Sequence, residues 1–451
     1  MLQDGSFHAV VDPLLLIMKN SSIQLRYGEG FVAFPSLDEP VTVITSQNTP
    51  GLADEKAATL AALDAPIGAV PLREWLRPNA TVCIVFSDIT RPTPNERIIP
   101  WLLEYLGKHG VTRDQITLLN GTGSHRANSH EELCRLLTTE VVENYHVINH
   151  DCHADADLVT VGVTRTGAPA QINRRYVNAD VKIITGFIEP HFFAGYSGGV
   201  KGVMPGVAGL ATIMSNHGGH HISSAKATFG VTTTNPLWEE LRAITLAAGN
   251  AFLLNVTLND HRAITGVFAG DVLTAHREGT LFVEKTAMCP VEVRFDIVVA
   301  SNNGFPLDQN LYQTVKGMVA AARIVKPGGT ILMTACCQEG CPKGSPYEQI
   351  LHSASSAEEL CQRLDSATET LAEQWQAHLQ VRIQQHARVL LYSAMPDEDV
   401  RAALLEPCLD LEQTLRTLVS SASGPVKIAV LPEGPTTVPY VRSETQPSHS
   451  A

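Results

Sequence analysis

The segment between Thr185 and His217 carries side chains suited to chemistry. Two histidines, His191 and His217, flank Lys201, and glycines cluster around that lysine. Imidazole transfers protons near neutral pH and binds transition metals, and an amine in apolar surroundings acts as a nucleophile. Glycines weaken regular elements and a lysine is costly to bury, so a structural core does not explain the segment. We interpret it as the floor of a functional site.

The same segment contains groups that suit an anion and a metal. Successive backbone amides from Ser197 to Gly199 would form a nest for an anionic oxygen. A neutral imidazole at His217 could bind a transition metal, with His220 or His221 as an alternative or second ligand. Taken alone, this histidine-rich stretch is equally consistent with a polar loop.

A second motif, Ser-Asp-Ile-Thr-Arg-Pro, follows a strand-like run that ends at Phe86. Ligands of open α/β sheets bind beyond the carboxyl ends of the strands, where Asp88, Thr90 and Arg91 would stand. Arg91 could grip a phosphate or carboxylate with two hydrogen bonds. Capping of the next helix would explain the aspartate and the threonine but not the arginine.

Two further motifs complete the set. The glycine-rich Asn-Gly-Thr-Gly-Ser-His-Arg stretch places His125 at another strand end, where its imidazole can take or give a proton. Further along, Tyr312 and Lys316 lie four residues apart on one helix, with Gln313 beside them. An amide and an ammonium together suit a small carboxylate, although a lone Lys316 would be an ordinary solvated lysine.

Apolar runs that alternate with helical patterns indicate βαβ units and predict an α/β fold of two domains with mainly parallel sheets. The expected strands are 81–86, 116–120, 181–185, 295–300, 329–334, 388–392 and 427–431. The expected helices are 95–109, closed by Gly110, then 308–325 and 357–381. We expect an N-terminal domain over 1–287, a C-terminal domain over 288–435 and a flexible tail over 436–451.

Composition excludes several classes of protein. The chain has 451 residues, of which 44% are hydrophobic and 18% charged, with a net charge of −13. This acidic balance argues against nucleic-acid binding, and no segment suits a signal peptide or a membrane span, so we expect a soluble cytoplasmic protein. The cluster of Cys336, Cys337 and Cys341 lacks paired CxxC spacing and is read as a turn after a core strand.

With all four motifs in place, the chain resembles the nickel-dependent lactate racemase family, from about Ser87 to Pro435. The resemblance rests on Ser-Asp-x-Thr-Arg-Pro, Thr-Gly-x-His-Arg, Glu-Pro-His-x-Phe-Ala-Gly-Tyr-Ser-Gly-Gly-x-Lys, a following histidine and Tyr-Gln-x-x-Lys, in this order. The family carries a nickel-pincer nucleotide, a pyridinium-derived cofactor made by dedicated synthesis enzymes. The resemblance places the active site in a cleft between the two domains.

The resemblance implies a role for each motif residue. Lys201 would carry the cofactor through a thioamide bond, His217 would coordinate the nickel, and His125 and His191 would be the acid/base pair. Gln313 and Lys316, with Tyr312 beside them, would bind the substrate, and Arg91 would also reach it. The residues expected to contact the cofactor are Asp88, Ile89, Thr90, Arg91, Ser197, Gly198, Gly199, Lys201 and His217.

The implied activity is racemisation or epimerisation of a short-chain 2-hydroxy acid such as lactate. One histidine would remove the hydroxyl proton while hydride passes from C2 to the cofactor, and the planar 2-keto acid would take hydride back on its other face. Two alternatives stay open. One is a zinc-dependent hydrolase or lyase that uses His191, His217 and His220 or His221. The other is a non-catalytic protein that binds the nickel nucleotide. The sequence does not choose among 2-hydroxy acids, nor does it give an oligomeric state.

Overall fold

The computed structural model of the protein describes residues 16–17, 23–47, 49–259, 261–367 and 369–442. These residues form two compact units. The terminal unit contains the described residues up to Gln47, then Ala287–Gln362 and those from Gln376 onward. The central unit contains the described residues of Asn48–Thr286 and of Arg363–Trp375.

The described residues before Gln47 form four strands and no helix. They are β1 (Leu16–Ile17), β2 (Gln24–Tyr27), β3 (Gly30–Ala33) and β4 (Val41–Val43).

The elements that follow, up to Ala287, build the central unit. Its strands are β5 (Val82–Ser87), β6 (Ile116–Gly121), β7 (His146–Asn149), β8 (Leu158–Val163), β9 (Pro169–Asn173), β10 (Val181–Phe187), β11 (Pro190–His191), β12 (Gly195–Tyr196), β13 (Phe252–Leu258) and β14 (Ile264–Asp271). Its helices are α1 (Glu55–Asp64), α2 (Leu72–Trp75), α3 (Asn95–Lys108), α4 (His130–Leu137), α5 (Thr139–Asn144), α6 (Arg174–Asn178), α7 (Leu210–Asn216), α8 (Gly219–Ile222), α9 (Pro236–Ala247) and α10 (Val272–Ala287).

The rest of the chain, apart from Arg363–Trp375, continues the terminal unit. Its strands are β15 (Met288–Val291), β16 (Phe295–Ser301), β17 (Val325–Thr334), β18 (Arg388–Tyr392), β19 (Glu406–Pro407), β20 (Ile428–Leu431) and β21 (Val438–Val441). The helices of this part of the chain are α11 (Leu311–Ala322), α12 (Pro346–His352), α13 (Ala357–Asp365), α14 (Gln374–His386), α15 (Asp397–Ala402) and α16 (Leu411–Ser420).

The central unit is built on a six-stranded sheet in the order β14-β13-β10-β5-β6-β7. Its strands run parallel except β14, which pairs antiparallel with β13. The middle strands are buried along their length, which explains their nearly continuous apolar sequences. From β5 the chain moves outward to β6 and β7, then returns to the other side of β5 as β10. The strand order therefore reverses between the neighbouring strands β5 and β10.

The terminal unit has a seven-stranded sheet in the order β1-β4-β20-β16-β17-β18-β19. Its pairings are parallel apart from that of β1 with β4. The strands of this sheet contribute side chains to a hydrophobic core, which includes Ile297, Val299, Leu332 and Val430. The predicted α/β fold with mainly parallel sheets is confirmed in both units.

All seven predicted strands are present, with ends that differ by a few residues at most. The predicted glycine stop of α3 is also confirmed. Gly110 has a φ of +85°, its N–H donates to Gly107 O, and the N–H of Val111 donates to Leu106 O. These two bonds form the Schellman motif, which needs a left-handed residue at this position.

Other expectations are corrected. The helix predicted over 357–381 is two helices, α13 and α14, and Glu373 just before α14 has a left-handed φ of +59°. The segment before Gln47 groups with the terminal unit because β4 pairs with β20. The tail predicted from residue 436 instead begins with β21, which pairs with β15, while residues 443–451 lie outside the described part of the chain. No helix among the described residues is long and apolar enough to span a membrane.

Candidate active site

Three of the four predicted motifs meet the same edge of the central sheet. Asp88 follows β5, the glycine-rich stretch follows β6, and the segment with His191 and Lys201 follows β10. In parallel sheets the carboxyl ends lie on one edge, and ligands bind where the strand order reverses. The order reverses between β5 and β10. The aspartate motif begins at the end of β5, and the lysine motif begins at the end of β10.

Asp88 and His125 form a hydrogen-bonded pair. The distance from His125 Nδ1 to Asp88 Oδ2 is 2.7 Å, and the second carboxylate oxygen accepts a 2.7 Å bond from the Thr90 hydroxyl. Asp88 is buried, whereas the His125 side chain is 44% exposed. Because an ionised carboxylate only accepts, His125 carries its proton on Nδ1 and presents the lone pair of Nε2.

Asp88 is ionised in this setting. Burial raises its pKa, but the hydrogen bond and charge of His125, the charge of Arg91 and the hydrogen bond from Thr90 together hold the pKa below the usual value. Arg91 is exposed, and its N–H closes a turn onto Asp88 O. Ile89 is held by an N–H bond to Asn128. The four residues predicted here therefore form one turn with an anionic centre.

Three asparagines fix the loops that carry this pair. Asn120 Nδ2 donates to Asn128 Oδ1 and to Asn149 Oδ1, both at 2.8 Å, and Asn149 also bonds the backbone of Asn128. Asn120 is fully buried, and both hydrogens of its Nδ2 have partners in these two bonds. The sequence analysis missed Asn128 and Asn149. Neither residue stands out in the sequence, because asparagines such as Asn128 in a loop and Asn149 at a strand end are common.

His191 lies in a small hairpin formed by β11 and β12. Its ring stacks on Phe192 with centroids 4.7 Å apart and meets Phe193 edge-on at 4.6 Å. His191 Nδ1 accepts a long bond of 3.3 Å from Ala194 N–H. A neutral His191 with this arrangement carries its proton on Nε2, the opposite tautomer from His125.

The turn from Ser197 to Gly199 is held by the protein itself. Ser197 N–H donates to Glu189 O, and Gly199 N–H donates to Asn255 Oδ1 at 2.7 Å. His276 Nε2 donates to Ser197 O at 2.8 Å. The amides of Ser197 and Gly199 are therefore not available to bind a phosphate. The predicted anion nest is limited to the remaining groups of the turn, with Gly198 at its centre.

Asn255 and His276 were not foreseen from the sequence. Both are buried, and burial, opposed by the bond to Ser197, lowers the pKa of His276 to about 4. His276 is therefore neutral and donates through Nε2 at physiological pH. The glycines of the turn are required, since Gly198 has a φ of +72° and a Cβ there would lie 2.5 Å from Asn255 Oδ1.

Lys201 follows this turn in a short 3₁₀ segment, Gly199–Gly202. Its Nζ lies 5.6 Å from the centre of the Phe193 ring, within the range of a cation–π contact. The lysine is half-buried in a mostly apolar segment, as the sequence predicted.

His217 ends α7 and is 6% exposed. Burial, reinforced by the charge of Lys201, lowers its pKa to about 3 although a bond to Ile213 O opposes the shift. Nδ1 donates that bond at 3.2 Å, so Nε2 holds the lone pair. Phe193 and Trp375 contact the ring at centroid distances of 5.3 and 5.1 Å. A neutral imidazole with an oriented lone pair is what a metal ligand requires.

The neighbouring histidines have other surroundings. His220 is exposed, and His221 is buried with Nδ1 bonded to Asn216 O at 2.8 Å. The buried Glu240 accepts bonds from Asn216 Nδ2 and from Arg165 N–H. Within the described part of the chain, His191, His217 and either neighbour do not bring three ligand atoms within metal-binding distance of one another. The three-histidine zinc site therefore has no support in this geometry.

The fourth motif lies on α11 of the terminal unit. Asn310 caps this helix by accepting a bond from Gln313 N–H at 3.1 Å. Tyr312, Gln313 and Lys316 are half-buried, whereas the helix buries Thr314 and the next residue. The predicted amide and ammonium therefore share a partly accessible side of one capped helix.

The loop between β16 and α11 is tied to the cysteine cluster. Asp308 Oδ2 accepts bonds from Gly28 N–H at 2.7 Å and Cys336 N–H at 2.9 Å. Cys336 and Cys337 follow the end of β17, and Cys337 has a left-handed φ of +49°. The interpretation of this cluster as a turn after a core strand is confirmed.

Comparison with protein families gives matches over most of the chain. Residues 27–230 match the lactate racemase N-terminal domain, and residues 291–438 match the lactate racemase C-terminal domain. Among curated proteins, the lactate racemase of Lactiplantibacillus plantarum is 37% identical over 82% of this chain and 88% of that protein. The lactate racemase of Thermoanaerobacterium thermosaccharolyticum is 32% identical over 92% of this chain and 98% of that protein.

Solved structures agree with these matches. The lactate racemase apoprotein from Thermoanaerobacterium thermosaccharolyticum superposes with a TM-score of 0.87 at 32% identity, covering 92% of this chain and 99% of that structure. A Thermotoga maritima protein has a TM-score of 0.66 at 16% identity, covering 86% and 98%. That second likeness concerns the fold alone.

Proposed function

The chain belongs to the lactate racemase family, and we propose that it interconverts the enantiomers of lactate or of a closely related short-chain 2-hydroxy carboxylate. It is thus an isomerase. Racemisation inverts C2, so both the hydroxyl proton and the hydrogen on C2 must leave and return.

The bonded pair of Asp88 and His125 carries this proposal. The buried carboxylate fixes the tautomer of His125 and leaves its Nε2 unprotonated. The carboxylate also stabilises the imidazolium that forms when Nε2 takes a proton. His125 is therefore built as a general base for the substrate hydroxyl, and its exposed ring is open to a substrate.

His191 is the second member of the proposed acid/base pair. Its neutral tautomer presents an N–H at Nε2, whereas His125 presents a lone pair there. To act as an acid, His191 must first be protonated on Nδ1, and loss of the Nε2 proton then leaves a neutral ring whose Nε2 lone pair can act as a base. A racemase needs one proton-transferring group for each enantiomer, because a single histidine cannot reach the substrate from both sides.

The residues that would hold the family's nickel-pincer nucleotide fit such a group. His217 is neutral with a free Nε2 lone pair, and imidazole nitrogen is a suitable nickel ligand. Lys201 would be the tether, and its amine lies over the ring of Phe193. When bound, the cofactor supplies an acceptor for the hydrogen that leaves C2 with its electron pair. The chain's own part is to orient the substrate and to hold the proton at His125 or His191.

Substrate binding is proposed for Arg91, Gln313 and Lys316, with Tyr312 beside them. Arg91 can bond a carboxylate with two parallel N–H groups, and the amide and ammonium on α11 suit the same anion. A capped helix supports the α11 residues in fixed positions.

The direct test is made on protein coexpressed with the cofactor-synthesis enzymes. Intact-mass and peptide analysis should show one nucleotide-derived adduct on Lys201, and the protein should convert one lactate enantiomer into the other. An unmodified Lys201 in an active racemase would refute the tether. An adduct without activity on lactate or a panel of 2-hydroxy acids would favour the non-catalytic binding protein, and activity with zinc alone would favour the hydrolase or lyase.

A further inference from the structure

One aromatic ring contacts three of the groups assigned above. The Phe193 ring lies 4.6 Å from the ring of His191 and 5.3 Å from that of His217, and Lys201 Nζ is 5.6 Å from its centre. Phe193 is 4% exposed and has neither a proton nor a lone pair to contribute. The ring nevertheless contacts His191 of the proposed acid/base pair, the proposed tether Lys201 and the proposed metal ligand His217.

The backbone of Phe193 is fixed by the buried Asn235. Asn235 Nδ2 donates to Phe193 O at 2.8 Å and to Val231 O at 2.9 Å, while its Oδ1 caps α9. Two residues later, Gly195 has a φ of +80°, and a Cβ there would lie 2.3 Å from Val231 O. The loop that holds the ring is therefore packed directly against the start of α9.

The contact geometry favours each neighbour in one orientation. His191 and His217 meet Phe193 at interplanar angles of 77° and 86°, the edge-to-face arrangement that aromatic quadrupoles prefer. The ammonium of Lys201 lies over the ring, whose face attracts a cation. The ring also has few rotamers, so it is a rigid reference for all three groups.

We propose that Phe193 is a positioning residue that sets the relative places of His191, Lys201 and His217. This inference rests on the proposed function for the roles of those three residues. Phe193 acts through them and takes no part in proton or hydride transfer. Placement matters because a displacement of about 1 Å at a reacting group can cost about a hundredfold in rate.

Two other phenylalanines of the central unit provide matched controls. Phe192 stacks on His191 and meets Phe193, but no ring contact of the described residues joins it to His217. Phe252 is fully buried and packs edge-on against Trp75 at 5.7 Å, among residues of the unit's main core. The Phe252→Leu change creates a comparable defect away from the proposed site.

The experiment compares Phe193→Leu, Phe193→Tyr, Phe192→Leu and Phe252→Leu in the full chain. In apoprotein, acetic anhydride labelling of Lys201 is measured by peptide mass spectrometry against the exposed Lys226 of the same sample. In protein coexpressed with the cofactor-synthesis enzymes, the fraction of chains with the Lys201 adduct is measured, and thermal midpoints are recorded for every variant.

We expect Phe193→Leu to change the Lys201 labelling rate by about two- to fivefold, as expected for loss of a cation–π contact. The adduct fraction should fall at least about twofold, whereas Phe193→Tyr, which keeps the ring, should retain both values. Phe192→Leu and Phe252→Leu should leave both values unchanged.

Unchanged labelling and adduct in Phe193→Leu would overturn the proposal. So would equal losses in Phe193→Leu and Phe252→Leu at equal thermal midpoints, because the effect would then follow stability alone. If the wild-type chain carries no adduct, the proposed function fails, and the labelling of apoprotein still decides whether Phe193 controls Lys201.

Discussion

At the scale of single residues, the chemistry of the site depends on how its imidazoles are oriented. His125 is oriented by the carboxylate of Asp88, His217 by Ile213 O and His276 by Ser197 O. In each ring the bonded nitrogen determines which atom the other nitrogen presents. Sequence reasoning placed His125 and His217 in the site, but it could not assign their tautomers, because these depend on partners distant in the sequence.

We predict that His125→Ala and His191→Ala each lower racemisation by about 10²- to 10⁴-fold, the usual contribution of a general acid or base. The Lys201 adduct should remain, because neither residue is assigned to the cofactor. Racemisation rate and intact mass are measured on the same sample. The exposed His153 gives the control variant His153→Ala, and full activity in either test variant would remove that residue from the pair.

Asp88 should make stability depend on pH. Its folded pKa lies below the ordinary value of 3.8, so its stabilisation is complete above that value and is lost as the pH falls through the folded pKa. We predict that the stability advantage of the wild type over Asp88→Asn, measured by urea unfolding, shrinks as the pH is lowered from 6 to below about 4. An advantage that stays constant or grows on acidification would contradict this.

At the scale of elements, the site depends on bonds that hold loops against strands and helices. Asn255 on β13 and His276 on α10 hold the turn before Lys201, and the asparagines on β6 and β7 hold the loop that carries His125. The strands were predictable because their apolar runs are continuous. These buried polar residues were not, because within apolar elements they give no periodic signal.

We predict that His276→Leu destabilises the chain by about 1 to 3 kcal/mol, since Ser197 O would be buried without its donor. The fraction of chains with the Lys201 adduct should fall, because the turn before the lysine loses one of the bonds that hold it. Chemical denaturation and intact mass are the measurements. An unchanged adduct fraction together with the expected loss of stability would show that the bond is structural only.

The end of α3 provides a paired stability test. Gly110 has a φ of +85°, whereas Gly107 lies within the exposed end of the helix with no atom in the way of a Cβ. We predict that Gly110→Ala destabilises by about 1 kcal/mol, and that Gly107→Ala stabilises by about 0.5 to 1 kcal/mol. Two substitutions of the same sign would contradict the assigned helix end.

At the scale of the whole molecule, each unit has its own sheet and core. The sequence predicted two α/β domains, but it assigned the first strands to the wrong one. The segment before Gln47 and the end of the chain pair into the terminal unit through β4 with β20 and β15 with β21. Such pairings between distant segments leave no local pattern, and the short β21 contains a proline that resembles a tail residue.

We predict that Val41→Asp destabilises the terminal sheet specifically. Val41 is 1% exposed and pairs with Ile428, so an unpaired carboxylate there would cost several kcal/mol. Hydrogen–deuterium exchange should accelerate in β16 and β20 and stay unchanged in β5 and β10. Equal acceleration in both sheets would show that the two units unfold together.

In the proposed racemisation, the hydrogen on C2 leaves with its electron pair while a histidine takes the hydroxyl proton. The most direct measurement incubates the adduct-bearing chain with L-lactate in D₂O and analyses the D-lactate by chiral separation and NMR. We predict that D-lactate forms and keeps protium at C2, because that hydrogen does not exchange with solvent. Deuterium at C2 of the product, or no D-lactate from a chain that carries the adduct, would contradict it.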